Sequence, residues 1–305
     1  MGNAQRAPVL NHYYRKDIII MELKDLLLGT SSCFTGKLDE ESFCAYAAAG
    51  IDCLEYSGKY LFYFENTDFH KNAAAYGKLA KKCGITPWSL HLPFSRRLDI
   101  SSTDKEQRAI IIYFNKYLIN CAAEAGAKVI VLHPSSEPID DEARPERMKL
   151  SRDAIASLSN ECEKCGVKLA VENLPRTCLC RTSDEMIDLI GGFDPEKVGV
   201  VFDTNHSLTE DNVHYVKALT SAGVKIHTLH ISDYYRDDAG VLDERHVLAG
   251  EGINRWGELL DAILANGYDG PLMYEVPSKV KNREIPLTVA ELSDNMHRLR
   301  AGLIR

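Results

Sequence analysis

The chain has 305 residues, of which 45% are hydrophobic, so it can bury a sizeable core in one large domain or two modest ones. Its formal net charge of -8 at pH 7 argues against nucleic acid as a partner, because nucleic-acid binding draws most of its free energy from phosphate neutralisation by Lys and Arg. Apolar runs are too short to cross a membrane, and the N-terminal one is broken by Glu22, Lys24 and Asp25, which excludes a signal-peptide core. We therefore expect a soluble, cytoplasmic protein without membrane contacts.

Met21 opens the run MELKDLLLGTSSC, which is compatible with a second start of the chain. Residues 1–20 are therefore predicted to be an N-terminal extension outside the fold. Residues 21–305 contain no linker, low-complexity segment or charge block, and we predict that they form a single domain.

Short apolar runs alternate along the chain with longer amphipathic ones. The candidate strands, in chain order, are DLLLGTS, CLEYS, WSLHLPF, KVIVLHPS, KLAVENLP, VGVVFDTNHS, KIHTLHISD and GPLMYEV. The candidate helices are 39–49, 68–83, 104–125, 146–165, 183–190, 209–222, 254–266 and 288–302. Several begin at Ser, Thr or Asp and end at Gly, as helix boundaries do. Eight strand-then-helix units with continuous apolar strands predict a parallel sheet and, at this length, a closed (β/α)8 TIM barrel, with a doubly wound open sheet as the alternative.

Polar side chains end six of the strand runs. They are His91, His133, Glu172, Asp203, His230 and Glu275. In a barrel, the last inward position of each strand points into the mouth at the C-terminal face, where barrel active sites are built. One such residue alone is more often hydrogen-bonded or solvent-facing than functional, but six at one rim favour a common pocket. Glu55 could reach the same mouth, although one carboxylate on a short strand does not settle its role.

Four of these residues form a predicted metal site. They are Glu172, Asp203, His230 and Glu275, from four consecutive strands. Carboxylates so close together would repel one another and raise each other's pKa unless a cation balanced them. Imidazole beside carboxylate is also a ligand mix that suits a divalent metal. His91 and His133 are expected to line the rest of the mouth or to bind a second ion.

The connection after the seventh strand run, SDYYRDDAGVLDERHVLAGEGINRW, is longer than the others. Long loops in compact domains are usually functional or disordered. Arg236, the only early cation in this loop, is predicted to bind a hydroxyl, carboxylate or phosphate of a substrate. His246 is predicted to be either a metal ligand or a substrate contact.

Nine cysteines in a chain without an export signal indicate reduced thiols. Cys162 and Cys165 form a CxxC, with Cys178 and Cys180 nearby, which raises the alternative of a zinc site or a redox pair. The first pair falls in a predicted helix and the second lacks the spacing of a zinc knuckle, so the sequence favours neither.

The motifs HLPF, LHPS, VENLP, FDTNH, HISD, RHVLAGEG and MYEV occur in an order that resembles the sugar phosphate isomerase/epimerase superfamily, the xylose isomerase-like barrels. The resemblance runs from about Leu28 to Glu275 and favours the closed barrel over the open sheet.

Within this superfamily the chain resembles the ketose 3-epimerases, which hold one Mn2+, Co2+ or Mg2+ with a Glu, Asp, His, Glu set. The matching positions are Glu172, Asp203, His230 and Glu275. The resemblance implies that the two glutamates move the proton on the carbon next to a carbonyl, and that His206 and Arg236 contact the substrate. The family normally carries a second glutamate six residues after the first, where this chain has Cys178, which leaves the substrate and its pose open.

The chain also resembles the endonuclease IV type of abasic-site nuclease, whose zinc cluster uses more ligands. The matching set is His91, His133, Glu172, Asp203, His206, His230, His246 and Glu275, with Glu244 or Asp243 for the remaining acidic ligand. A nuclease of this type must hold a duplex, but the sequence shows no basic loop after the strands and has a net charge of -8. We therefore favour sugar chemistry over the nuclease.

The sequence thus predicts a divalent-metal-dependent isomerase or epimerase of a sugar or polyol ketone that abstracts a proton next to a carbonyl and proceeds through an enediolate. The expected cofactor is one divalent ion, Mn2+ first, with Mg2+, Co2+ or Zn2+ as alternatives. Dehydration by the same site and a non-catalytic sugar-binding barrel are further alternatives. A homo-oligomer is also compatible with the sequence, because exposed helix faces on such barrels often pair.

Overall fold

A computed structural model describes residues 22–36, 39–57, 69–280 and 283–305. The predicted N-terminal extension, residues 1–20, lies outside the described residues.

Eight parallel strands form one sheet. They are β1 (Leu28–Ser31), β2 (Cys53–Ser57), β3 (Thr86–His91), β4 (Val129–Leu132), β5 (Lys168–Glu172), β6 (Val198–Asp203), β7 (Ile226–His230) and β10 (Leu272–Tyr274). They are hydrogen-bonded in the order β10-β1-β2-β3-β4-β5-β6-β7. The two ends of this order meet just after β7, where the Ile231 amide donates to the Met273 carbonyl at 2.7 Å and the Glu275 amide donates to the Ile231 carbonyl at 3.0 Å. The sheet is therefore a closed TIM barrel in a single domain, as predicted.

The described residues contain eight α-helices, and all eight predicted helices are confirmed within a few residues at each end. They are α1 (Glu40–Ala48), α2 (Phe69–Cys83), α3 (Lys105–Ala125), α4 (Arg144–Cys165), α5 (Ser183–Ile190), α6 (Asn212–Ser221), α7 (Trp256–Ala265) and α8 (Val289–Arg300). Helix α6 begins later than predicted because Asp211 is its cap and accepts a hydrogen bond from the His214 amide at 3.0 Å. None of the described helices is long and apolar enough to cross a membrane.

The long connection after β7 is a hairpin rather than an irregular loop. Strands β8 (Asp233–Arg236) and β9 (Leu242–Val247) pair antiparallel. The turn between them is closed by the Asp237 amide donating to the Val241 carbonyl at 2.9 Å, and Gly240 supplies the left-handed conformation it needs, with φ 82. The pairing of the two strands gives this connection a defined conformation.

Strand alternation decides which side chains reach the barrel interior. A small apolar cluster of Val129, Val131, Ala170 and Val201 is separate from the main core. The residues between them, such as Ile130 and Val171, belong to the main core between sheet and helices. Two positions beyond Val131, Ala170 and Val201 on the same face come His133, Glu172 and Asp203. The apolar interior therefore ends in a polar mouth, as the sequence predicted.

Candidate metal centre

The four predicted metal ligands meet inside the mouth of the barrel. One ligand atom from each of Glu172, Asp203, His230 and Glu275 can be chosen so that all lie within 4.8 Å of one another. Glu172, Asp203 and His230 are buried at the ends of β5, β6 and β7. The side chain of Glu275, which follows β10, is 21% exposed and forms the solvent side of the group.

Three carboxylates converge on one nitrogen of His230. Its Nδ1 lies 3.1 Å from Glu275 Oε2, 3.3 Å from Glu172 Oε1 and 3.8 Å from Asp203 Oδ2. One imidazole proton can be donated to only one of these oxygens. At least two of the three carboxylates therefore keep a negative charge that a hydrogen bond from this imidazole does not offset.

The unsatisfied oxygens test whether these residues fit a metal ion. Glu172 Oε2 and Asp203 Oδ2 are buried and accept no well-aligned hydrogen bond from the described residues, although an imidazole nitrogen lies 3.1 Å from the first and 3.4 Å from the second. Buried carboxylate oxygens left in this way are costly unless they are paired or coordinate a metal. Three carboxylates and one imidazole suit a divalent cation such as Mn2+, Co2+ or Zn2+. The residues fit the group that the sequence predicted.

Glu55 supports this centre from across the barrel, a role that the sequence left unsettled. It is fully buried, and its Oε2 lies within hydrogen-bonding distance of His230 Nε2, at 3.2 Å. The Ser89 hydroxyl donates to Glu55 Oε2 at 2.7 Å, which fixes the carboxylate in place. A proton held on Nε2 leaves the Nδ1 lone pair directed at the other three carboxylates, which is the tautomer a metal ligand requires. The only sequence signal was an acidic residue inside the apolar run CLEYS.

Two histidines lie on the other side of Glu172. His91 Nε2 is 3.3 Å and His133 Nε2 is 3.1 Å from Glu172 Oε2. The opposite nitrogen of His91, Nδ1, lies 2.8 Å from the Leu92 carbonyl, so its proton belongs there and Nε2 is free to accept. These two histidines and Glu172 form a second group with metal-ligand spacing.

A third such group combines Asp203 with His206 and His246. His206 Nδ1 lies 3.4 Å from Asp203 Oδ2 and 3.4 Å from Glu172 Oε1. His246, on β9, has φ 48, a left-handed conformation that is strained for a residue other than glycine. Its Nδ1 lies 3.1 Å from both the Ser232 hydroxyl and the Glu275 carbonyl, so the strained backbone holds the ring over the mouth.

The structure does not bring Arg236 to this group, and its predicted contact with the substrate stays a prediction. Arg236 ends β8 at the far end of the hairpin, is exposed, and donates from Nη1 to the Gly240 carbonyl at 2.7 Å. Asp243 is held by Arg245, whose Nε donates to Asp243 Oδ2 at 2.6 Å. Asp243 belongs to none of the candidate metal-binding groups among the described residues, and those groups contain no cysteine.

The pKa shifts in this group arise because carboxylates and histidines are confined together in a buried mouth. Burial opposes ionisation of Glu172, but the neighbouring His133 and His230 hold its pKa well below the usual range. Burial raises the pKa of Asp203 to about 6. Burial also disfavours the charged form of His206, but Asp203 and Glu172 raise its pKa to about 10. The carboxylates therefore attract positive charge to the mouth.

A cavity of about 290 Å³ opens above the cluster. Glu172, Glu275, His91, His133, His206 and His246 all line it. The ring of Phe94 stacks on His133 at 3.9 Å between centroids, and the outer wall carries Cys178 and the ion pair of Glu137 with Arg176 at 2.8 Å. A larger cavity of about 670 Å³ beside α8 contains none of the predicted site residues. The smaller cavity is the candidate substrate site because it alone of these two meets the cluster.

The sequence also matches a family model described as xylose isomerase-like TIM barrel over residues 43–298. The chain belongs to the xylose isomerase-like TIM barrel family. This family membership and the closed barrel confirm the predicted superfamily and fold class.

Solved structures of the xylose isomerase-like fold are similar to this chain over most of its length. A D-tagatose 3-epimerase-like protein has a TM-score of 0.74 and 23% identity, covering 92% of this chain and 98% of its own. A D-psicose 3-epimerase, crystallised in the presence of D-fructose, has a TM-score of 0.72 and 18% identity, covering 91% and 98%. An IolI protein with a bound zinc atom has a TM-score of 0.70 and 22% identity, covering 92% and 98%. At these identities the likeness establishes the shared fold.

Among curated proteins, the uncharacterized protein MJ1311 of Methanocaldococcus jannaschii is 27% identical over 203 residues. The match covers 64% of this chain and 67% of the relative.

Proposed function

We propose that this xylose isomerase-like barrel is a divalent-metal-dependent isomerase or epimerase of a sugar or polyol ketone. The observation that carries the proposal is the placing of two glutamates, Glu172 and Glu275, in one metal-binding group at the floor of a cavity of about 290 Å³. Structures of similar fold that are named as 3-epimerases support the same class of chemistry.

Glu172, Asp203, His230 and Glu275 would hold the ion, with Mn2+ as the first expectation and Mg2+, Co2+ or Zn2+ as alternatives. When bound, a divalent ion supplies Lewis-acid polarisation of a ketone oxygen. Glu55 would accept a hydrogen bond from His230 Nε2. This contact keeps the imidazole proton on Nε2 and leaves the lone pair of Nδ1 directed at the other three ligands.

Proton transfer is assigned to the two glutamates. Either Glu172 or Glu275 removes the proton from the carbon next to the carbonyl, which gives an enediolate, and the other returns a proton. A carboxylate that binds the ion through one oxygen can act as a base through the other. Return to the opposite face of the same carbon gives an epimer. Return to the neighbouring carbon, with the hydroxyl proton passing between the two oxygens, gives an isomer. Departure of a β-hydroxyl that takes the proton instead gives water and a dehydrated product.

The histidines would hold the substrate hydroxyls. His91, His133, His206 and His246 line the cavity, and each offers a ring nitrogen that can donate or accept. Phe94 stacks on His133 and gives the cavity an apolar wall on that side.

The test combines metal analysis with isotope exchange. Purified wild type and Glu275→Gln would be assayed for bound metal, and then for entry of solvent deuterium into a panel of ketoses, inososes and keto-glycosides. We expect one ion per wild-type chain, exchange into at least one substrate, and loss of exchange in Glu275→Gln. Glu258→Gln, an exposed carboxylate on α7 paired with Arg255, is the matched control and should keep both properties. Ligand stabilisation without any exchange would instead identify a sugar-binding barrel.

Two of the additional groups of ligand atoms support a second candidate, a nuclease with a zinc cluster. His91 and His133 with Glu172, and His206 and His246 with Asp203, could each hold a further ion. This candidate predicts two or three zinc ions per chain and incision of an abasic-site duplex without sugar exchange. That outcome would replace the epimerase proposal.

A further inference from the structure

Helices α1 and α2 bring two cysteines together on the outside of the barrel. Cys44 lies in the middle of α1 and is exposed, whereas Cys83 is the last residue of α2 and is partly buried. Their sulfur atoms are 2.7 Å apart, although the two residues are 39 positions apart in the sequence. Neither residue lines the candidate substrate cavity.

A second contact holds the same helix ends in register. Lys82, next to Cys83, places its Nζ 2.5 Å from Glu40 Oε1 in the first turn of α1. Cys83 Sγ also lies 4.0 Å from the Glu40 carbonyl oxygen. The approach of the two thiols is therefore part of how α1 packs on α2, rather than the chance position of one side chain.

The other cysteines of the described residues provide a contrast. Cys53, Cys121, Cys162, Cys178 and Cys180 are buried, and Cys33, shortly after β1, is partly buried. Cys165 ends α4 and is followed by a glycine, as Cys83 ends α2 and is followed by a glycine, but its Sγ lies 3.5 Å from Asn120 Oδ1 instead of facing a thiol. Cys44 and Cys83 differ because they combine proximity with access from solvent.

We propose that Cys44 and Cys83 are a reversible oxidation site, in which a small-molecule disulfide such as oxidised glutathione converts the two thiols into a disulfide that joins α1 to α2. The thiolate of Cys44 attacks the oxidant, forms a mixed disulfide and releases one thiol. The thiolate of Cys83 then attacks the sulfur of Cys44 and releases the second thiol. Two protons and two electrons leave the protein, and the oxidant is reduced to two thiols.

The surroundings of the pair set this order of attack. The hydrogen bond with Cys44, followed by desolvation, raises the pKa of Cys83 to about 11. Cys83 also ends a helix, where the dipole disfavours a negative charge. Cys44 is exposed whereas Cys83 is only partly so, which makes Cys44 the thiol that the oxidant reaches first. Conversion of Cys44 to a mixed disulfide also removes the hydrogen bond that contributes most to the raised pKa of Cys83.

The bond would close a loop that contains the whole of β2, the strand that carries Glu55. A crosslink across a loop of this length restricts the unfolded chain more than the folded one, in which the sulfur atoms already meet. We expect oxidation to raise Tm by about 5–10 °C.

The experiment uses the full chain after equilibration in reduced or oxidised glutathione, followed by blocking of free thiols, peptide mapping without reduction, and a thermal melt. We expect a peptide pair joined through Cys44 and Cys83 only in the oxidised sample, with a higher Tm that returns to the reduced value on addition of reductant. Cys44→Ser and Cys83→Ser should each abolish the joined peptide and the rise in Tm. The matched control Cys165→Ser should keep both.

Three results would overturn the proposal. The first is that Cys44 and Cys83 both remain open to alkylation after oxidation. The second is that either carries glutathione without forming the joined peptide. The third is a rise in Tm that survives in Cys44→Ser.

Discussion

The strand ends of the barrel and the β8–β9 hairpin both place histidines over the same cavity, but they hold them in different ways. Glu172, Asp203 and His230 are buried, and the alternation of residues along closed strands determines their direction. His246 is held by a strained backbone on a partly exposed hairpin. The difference suggests that the barrel would hold the proposed metal ligands, whereas the hairpin would adapt the site to its substrate. Substitutions in the two regions should therefore fail in different ways.

Asp203→Asn should have the largest effect. It removes a charge from the centre of the ligand group, so we expect bound metal to fall below one ion in ten chains and turnover to fall by roughly three orders of magnitude. Metal analysis with the exchange assay measures both. Retained metal and activity would show that the barrel does not hold the ion as proposed.

Glu55→Gln should weaken metal binding while every ligand is retained. The amide cannot favour the proton on His230 Nε2 as a carboxylate does, and loss of such an orienting partner typically costs about 10–100-fold in metal affinity. Metal titration followed by kcat at saturating metal separates this effect from a loss of fold. Ser89→Ala, which removes only the hydroxyl that donates to Glu55, should give a smaller change in the same direction. Unchanged affinity in both variants would leave Glu55 without a positioning role.

Ala substitutions at His206 and His246 should separate substrate binding from metal binding. We expect kcat/KM to fall by about 10-fold or more in each, since each removes a group that would hold a substrate hydroxyl, with bound metal retained. Loss of the ion together with activity would instead make these histidines ligands and favour the zinc cluster.

The strain at His246 predicts an unusual order of stability. His246→Gly should be more stable than His246→Ala by about 1 kcal/mol, because only glycine adopts φ 48 without steric cost. Denaturant unfolding of the two variants measures the difference, and neither carries an imidazole, so activity does not enter the comparison. An equal or reversed order would mean that the hairpin relaxes around residue 246.

Arg236→Ala should have the smallest effect. The side chain is exposed and bonded to its own turn, so we expect less than a twofold change in kcat/KM. Steady-state kinetics on the substrate identified by exchange would measure it. A tenfold rise in KM would restore Arg236 as a substrate contact and show that the hairpin moves when substrate binds.

The barrel, and the gathering of polar strand-end side chains at its mouth, could be predicted from the sequence because both depend on local patterns. A continuous apolar run that ends in His, Asp or Glu predicts a strand, the direction of that strand, and a polar side chain at the C-terminal rim of the barrel. Glu172 and Asp203 are examples. The link between Glu55 and His230 depends on how the sheet closes, since Glu55 lies 175 positions away in the chain, and no local pattern reports that distance. The surroundings of Arg236 could not be predicted for a related reason. A segment predicted to be a loop gives no strand register, and in the hairpin Arg236 pairs with Leu242, outside the residues that line the cavity.

The contact between Glu55 and His230 also has a consequence for recombination of the fold. All four proposed ligands come from β5, β6, β7 and β10, whereas Glu55 comes from β2, three strands away around the barrel from β7. A chimera that takes its first two strands from another barrel could keep every ligand and still lose the carboxylate that sets the imidazole's tautomer. The unit that must be inherited together is therefore larger than the half-barrel that touches the ion.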